Sequence, residues 1–363
     1  MSKIVSIATD VPAHKHNQQD ICRFMQKVYA LDETENRKLR FLYGHSAIDS
    51  RYSVIPDYSL DAEDWQFYPA TENLEPFPGL EKRMQWYSRY APTLSVSAIE
   101  KCMAGHGHIN DVTHLITVSC TGMSAPGLDL QIMEMMKMPV HIFRTSVNFM
   151  GCYAAIHAMK LADAFCRNDP HARVMVVCTE LCTLHFQRDP SADNIASSLL
   201  FGDGCAAMLV ASDDAPGSGL HIKDFYSEVG FAGKNHMSWQ LSSSGFLMSL
   251  SSSVPRFIEE DFGGLLQRAI HHAGIHENDI TQWCIHPGGK RILNAIEKSN
   301  NINANDLRYG YDILQRYGNM SSPTILFVLK EIMNALEAAD KSEYVFGAAF
   351  GPGLTMESFI LYS

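Results

Sequence analysis

Long apolar runs, an excess of basic charge and paired cysteines are all missing from this 363-residue chain. No run approaches the roughly 18 apolar residues of a membrane-spanning helix. The N-terminal "MSKIVSIATDVPAHKHNQQD" has no apolar core of the kind a secretory signal carries. The formal charge is −11, the opposite of the basic face a nucleic-acid binder presents, so an anionic substrate would need a local basic patch. The nine cysteines are odd in number and lack metal-like spacing. The histidines of "AGHGH" (104–108) and of "HH" (271–272) have no Cys or His partners at ligand spacing, so no metal is expected. These absences point to a cytoplasmic protein with reduced thiols, no membrane span and no nucleic-acid partner.

What is present is core. Hydrophobic residues make up 46% of the chain and charged residues 19%, and the length suits one large domain or two fused ones. "KIVSIATDVP", "THLITVSC", "RVMVVCTE" and "CAAMLVAS" read as buried strands. Residues 16–50 read as helical and then irregular, 51–90 as a surface excursion without period, and "RYAPTLSVSAIEKCMAGHG" as a helix ending at glycine. "DDAPGSG" (213–219) is the best linker, being made of turn residues. Strands separated by helices imply a layered α/β fold divided into 1–215 and 216–363.

The second half repeats the first. "WCIHPGG" matches "LITVSC" in placement, "YGNMSSPTILFVLKEIM" matches "FMGCYAAIHAMKLA", "EYVFGAAFG" matches "VMVVCTE", and "ESFILYS" matches "AAMLVAS". Ser119 to Cys152 and His286 to Asn319 are both separations of 33 residues. A duplicated unit would set Cys152 and Asn319 at equivalent helix starts facing one centre, with His286 at the end of the equivalent central strand. Cys152 alone reads equally as a buried core thiol, His286 as a loop histidine and Asn319 as a helix cap. Together they read as chemistry. A helix start and an adjacent imidazolium favour a thiolate, and a neutral amide donates to a developing oxyanion.

"MGCYAA", "LLFGDGCAA", "IHPGGKRIL", "YGNMSSPTILFVL" and "FGPGLTMES", in that order and nearly end to end, resemble the signatures of type III polyketide synthases, the chalcone synthase-like family. "CTELCTLHFQ" and "GFLMSLSSSVP" place the chain nearer the bacterial members. The resemblance implies the thiolase-like five-layer αβαβα fold built from two duplicated α/β halves, and a homodimer. It also implies that Cys152 carries an acyl starter from a coenzyme A thioester, while His286 and Asn319 hold malonyl-CoA as carbon dioxide leaves. Acyl-CoA and malonyl-CoA are then substrates, and no cofactor is required. Phe201 matches a gatekeeper at the cavity mouth, Gly351 and Gly353 flank Pro352 in a loop beside the nucleophile, and Thr121 and Ser321 join the expected lining.

Against the family pattern, Met248 replaces a second gatekeeper Phe, Cys182 a threonine common in plant members, Ser197 a small cavity glycine, and Ala125 a larger residue that crosses the dimer interface. The basic patch for coenzyme A is thin. Lys38 remains, Phe41 and His45 replace cationic positions, and Lys290 and Arg291 compensate, which leaves room for a starter delivered on acyl carrier protein. An alkylpyrone or alkylresorcinol from a fatty acyl starter is the expected product. The rivals are a single-condensation ketosynthase of the same fold, a Cys/His hydrolase and an inactive scaffold.

Overall fold

A computed structural model of the chain describes residues 1–71, 73–300, 302–339 and 343–363, with the side chains at 338 and 339 left aside. The strands are β1 (Ser2–Asp10), β2 (His14–Asn17), β3 (Ser50–Ser53), β4 (His114–Ser119), β5 (Phe143–Asn148), β6 (Arg173–Leu181), β7 (Asp203–Ser212), β8 (Leu220–Val229), β9 (Met237–Ser242), β10 (Gly245–Leu250), β11 (Ile280–Ile285), β12 (Tyr344–Gly351) and β13 (Thr355–Tyr362). The helices are α1 (Gln18–Tyr29), α2 (Glu33–Gly44), α3 (Leu80–Met103), α4 (Leu128–Met136), α5 (Ala154–Asn168), α6 (Ala192–Leu200), α7 (Val254–Ala273), α8 (Lys290–Ser299), α9 (Arg308–Tyr317) and α10 (Thr324–Ala339).

Nine strands form one sheet in the order β11-β12-β13-β8-β1-β7-β6-β4-β5. Outward from its middle the order is β1-β7-β6-β4 on one side and β8-β13-β12-β11 on the other, the same arrangement twice. In both halves the outer pair is parallel (β4 with β6, β11 with β12) and the inner pairs are antiparallel. The two arms meet through only three residue pairs, Ser2–Ile4 with Leu220–Ile222.

Alternation along the strands sorts the apolar side chains into three cores. On β7, Cys205, Ala207 and Leu209 pack with α1 and α3, while Ala206, Met208 and Val210 pack with α5 and α10. On β12, Val345 and Ala349 join that same central core, whereas Phe346, Ala348 and Phe350 pack with α7 and α8. Helices, one arm of the sheet, central helices, the other arm and helices make five layers. Both faces of every central strand are covered, which is why these strands read as near-continuous apolar runs.

Two segments differ from their sequence reading. Helix α3 starts ten residues before Tyr90, at Leu80, and continues through Pro92. The excursion is not wholly at the surface: Asp57, Tyr58, Phe67 and Tyr68 are buried, and the Asp57 carboxylate accepts the backbone N–H groups of Gln66, Phe67 and Tyr68 at 2.9, 3.0 and 2.7 Å. Its aromatic residues supply a local core that needs no period.

Gly347 pairs across the ladder with Phe359, and a Cβ at Gly347 would lie 2.0 Å from the Phe359 ring. Gly347→Ala is expected to destabilise the fold by about 1–3 kcal/mol through overpacking, read as a lower urea midpoint at unchanged slope.

Candidate active site

The ends of β4 and β11 and the turns before α5 and α10 converge at the centre of the molecule. Cys152 lies two residues before α5, buried, after Gly151, whose φ is +85°. A Cβ at Gly151 would lie 2.3 Å from the Pro352 ring, so only glycine lets that loop close against the nucleophile turn. His286 follows β11 directly, and its backbone N–H donates to Ala348 O at 2.9 Å. Its ring is 1% exposed, and neither ring nitrogen has a hydrogen-bond partner among the described residues.

Asn319 stands five residues before α10, not two, so the equal separations do not make it the counterpart of Cys152. The left-handed residues mark the true correspondence: Gly151 at +85° and Ser321 at +60° each precede the turn into their helix, which pairs Cys152 with Ser322. Extra chain before α10 carries Asn319 forward. Its backbone bridges Phe201, with Asn319 N donating to Leu200 O and Gly202 N donating to Asn319 O, both at 2.9 Å.

The amide's orientation is set by its neighbours. Ser321 N–H can only donate, and it lies 2.7 Å from Asn319 Oδ1. The NH2 group therefore donates to Gly288 O at 3.3 Å, and both amide atoms lie 3.9 Å from Cys152 Sγ. Burial pushes the Cys152 thiol up to about 11 and pulls the His286 imidazole down to about 3. Both shifts favour the uncharged forms, the thiol and the neutral imidazole.

A cavity of about 960 Å³ opens over this centre. Cys152, His286 and Asn319 line it, as do Phe201, Met248, Cys182, Ser197, Thr121, Ser321, Lys38, His45, Lys290 and Arg291. Pro352 reaches it, while Gly351 and Gly353 do not. Gly351 lies under the Tyr153 ring, where a Cβ would come within 2.6 Å, and Gly353, at φ +78°, forms the turn. The cations are partly engaged. Lys38 pairs with Glu35 at 2.7 Å, Arg291 donates to Ser252 O at 3.1 Å, and His45 stacks on Phe41 with ring centroids 4.0 Å apart. Ile21, Met25, Leu39 and Leu42 of α1 and α2 and Ile195 and Leu199 of α6 also line the cavity.

Three lining or supporting residues escaped the sequence reading. Trp239 sits opposite Met248 in the β9–β10 hairpin, donates from Nε1 to Cys120 O at 2.7 Å, and packs edge-on against His185 and Phe246. The His185 ring is tied to Thr121 O at 2.8 Å and accepts from Phe246 N at 3.1 Å, so the hairpin is fastened to the first half. Glu180, fully buried on β6, accepts from Cys120 N, Thr121 Oγ1 and Ser322 Oγ, joining the ends of both duplicated units. Burial pushes its carboxyl up to about 7. A charge inside the apolar run "RVMVVCTEL" was the available signal for Glu180. Among the described residues no group of three or more His, Cys, Asp or Glu side chains is placed to hold a metal ion, and no helix is long and apolar enough to cross a membrane.

Two family models match the chain, the N-terminal domain of chalcone and stilbene synthases over residues 1–214 and the C-terminal domain over 228–363. The alpha-pyrone synthesis polyketide synthase-like Pks18 of Mycobacterium tuberculosis is 27% identical across 98% of this chain and 90% of its own. The type III polyketide synthase C of Arabidopsis thaliana is 26% identical across 99% and 94%. Among solved structures, PKS-I of the brown alga Ectocarpus siliculosus has a TM-score of 0.93 at 25% identity, covering 99% of this chain and 97% of that one. The C-terminal type III polyketide synthase domain of Steely1 from Dictyostelium has a TM-score of 0.90 at 26% identity, covering 99% and 98%. With both halves matched and the duplicated fold shared over nearly the whole length, the chain belongs to the chalcone and stilbene synthase family and is a type III polyketide synthase, an acyltransferase that extends coenzyme A thioesters by decarboxylative Claisen condensation.

Proposed function

We propose that this synthase condenses malonyl units onto a fatty acyl starter held on Cys152 and releases an alkylpyrone or alkylresorcinol, with His286 and Asn319 activating the malonyl thioester. The observation that carries the reading is the Asn319 amide, held in contact with Cys152 Sγ with its oxygen tied to Ser321 N–H, beside an imidazole whose two nitrogens have no partner among the described residues. In the first step Cys152 sulfur attacks the starter's thioester carbonyl, its proton passes to the neutral His286, and coenzyme A leaves as the thiol after taking that proton. In the second, the malonyl C–C bond to carboxylate breaks. The electron pair moves into an enolate whose oxygen accepts from Asn319 Nδ2 and from a His286 N–H. The enolate carbon then attacks the acyl-Cys152 carbonyl, the C–S bond breaks, and the sulfur leaves as the thiolate, which takes a proton from water to restore the thiol. Neutral donors aimed at the developing oxyanion stabilise it without a counter-charge to desolvate.

The apolar residues that α1, α2 and α6 contribute to the cavity lining support a fatty starter, since each buried methylene contributes about 0.8 kcal/mol. The name of the Mycobacterium relative, which refers to alpha-pyrone synthesis, is consistent with it. Phe201, Met248, Cys182, Ser197, Thr121 and Ser321 are proposed as the lining the chain meets, Gly351 and Gly353 as the support of Pro352, and Lys38, His45, Lys290 and Arg291 as the contacts for coenzyme A. Ion-paired Lys38 leaves delivery on acyl carrier protein open as the starter's route. A homodimer in the cytoplasm, each subunit divided into halves 1–215 and 216–363, completes the proposal.

Mass spectrometry of products from a series of acyl-CoA starters with malonyl-CoA tests the function. kcat/KM should rise from short to medium or long chains, and Met248→Phe should flatten that rise. A preference for acetyl or aromatic starters over every fatty chain would overturn the alkyl assignment. For the mechanism, Cys152→Gln should still decarboxylate malonyl-CoA while forming no new C–C bond. Asn319→Ala should decarboxylate about 100- to 1000-fold more slowly, the usual cost of a lost oxyanion donor. The neutral resting pair makes a separate prediction. With the thiol pushed up to about 11 and the imidazole down to about 3, raising the pH from 7 to 9 increases only the thiolate fraction. Alkylation of Cys152 by iodoacetamide should therefore accelerate about tenfold per pH unit, because the thiolate is the nucleophile. A rate already at plateau near neutrality would reveal a preformed ion pair instead.

A further inference from the structure

Arg51, on β3, is 3% exposed and forms no salt bridge with any described carboxylate. Its Nε donates to Gln18 Oε1 at 3.0 Å, its Nη1 donates to the backbone carbonyl of Phe201, and its Nη2 is buried without a partner. A buried guanidinium with no carboxylate at ion-pair distance, its charge favoured only by Tyr43, Tyr58 and the more distant Asp203, is costly for folding alone, since an apolar residue of similar volume would fill the space without loss of hydration. Its one backbone acceptor is the residue that Asn319 brackets: Asn319 N binds Leu200 O before it, and Gly202 N after it binds Asn319 O.

The same strand grips the segment leading to Asn319. Asp49 N donates to Gln315 O at 2.8 Å and Ser50 Oγ donates to Arg316 O at 3.0 Å. The Arg51 stem packs against Gly318, where a Cβ would come within 2.8 Å of Arg51 Cδ and the backbone is left-handed at φ +69°. Arg51 thus touches the chain on both sides of Asn319, through the Phe201 carbonyl and through Gly318. A charge-assisted hydrogen bond is shorter and stronger than a neutral one, and it holds the Phe201 bridge in register.

We propose that Arg51 is a positioning residue for Asn319, fixing through Phe201 and Gly318 the backbone from which the amide reaches the malonyl thioester. This rests on the reading that Asn319 stabilises the enolate. The two half-reactions separate the roles. Acylation of Cys152 does not need the amide, whereas decarboxylation does.

The test compares Arg51→Met and Arg51→Lys with the parent in two assays: single-turnover acylation of Cys152 by a fatty acyl-CoA, followed by intact-protein mass, and conversion of malonyl-CoA to acetyl-CoA in a Cys152→Gln background. Arg51→Met should decarboxylate about 10- to 100-fold more slowly, the scale of a misplacement near 1 Å, with acylation within about twofold of the parent. Arg51→Lys, which keeps the charge and one donor, should recover most of the decarboxylation. It also serves as the variant to read, for at least a measurable selective loss, if the methionine form does not fold. Unchanged decarboxylation in both variants, or acylation falling in parallel with it, overturns the proposal. Asn319→Ala in the same assays isolates the other failure. If it decarboxylates like the parent, the enolate reading falls, whereas an impaired Asn319→Ala beside an unimpaired Arg51→Met rejects only the positioning role.

Discussion

Desolvation at the seam between the two arms of the sheet governs this structure. Cys152, His286 and Asn319 are all buried there, and burial first of all pushes the thiol up and the imidazole down, which disfavours an ion pair between them. The site's polar groups have to be neutral donors and acceptors oriented in advance, and the structure supplies that orientation through backbone. Ser321 N–H fixes the amide, Ala348 O fixes the start of the His286 turn, and Pro352 fixes the Gly151 turn.

Buried charges near the seam hold the parts together. Glu180 draws the end of β4 and the turn before α10 onto one carboxyl group, and Arg51 draws β3 onto the Phe201–Asn319 bridge. Each links a piece of the first half to a piece of the second. The direct joint of the sheet is short, three residue pairs between β1 and β8, so the relative placement of the halves depends also on these contacts and on the central core shared by α5 and α10. A polar group buried with several matched partners is specific in a way apolar packing is not, because a small slip leaves it unsatisfied.

Much of the fold was legible in the chain because the central strands are covered on both faces and so stand out as apolar runs. The duplication was legible for the same reason, since corresponding strands recur in corresponding order. The excursion at 51–79 was not, because its core comes from aromatic side chains and an Asp57 carboxylate that collects three backbone N–H groups, neither of which produces a period. The catalytic candidates were found by motif, and the motif even suggested a wrong equivalence. Equal spacing paired Cys152 with Asn319, while the backbone pairs it with Ser322. Trp239 and His185 were missed because their place depends on how the β9–β10 hairpin folds back over the first half, a contact between residues far apart in sequence. Nothing in the residue types alone revealed that His286 is neutral. That follows from depth, which only the assembled layers determine.

The dry centre bears on the order of events in the proposed reaction. A carboxylate brought from water into such a site loses hydration, and losing carbon dioxide removes that charge from the carboxyl group and moves it to the thioester oxygen, where the donors already stand. An aspartate at position 319 would oppose this twice, by repelling the enolate and by requiring its own counter-charge in a place where burial already pushes the Glu180 carboxyl up and the His286 imidazole down. Asparagine donates without charge, and its donating face is chosen by a backbone N–H that cannot serve as an acceptor. The same dryness that makes Cys152 a reluctant thiolate therefore favours decarboxylation, and the two halves of the cycle place opposite demands on one environment. Placing them on separate turns, the thiol at the start of α5 and the amide carried forward before α10, brings both demands to one buried pocket without one side chain having to meet both.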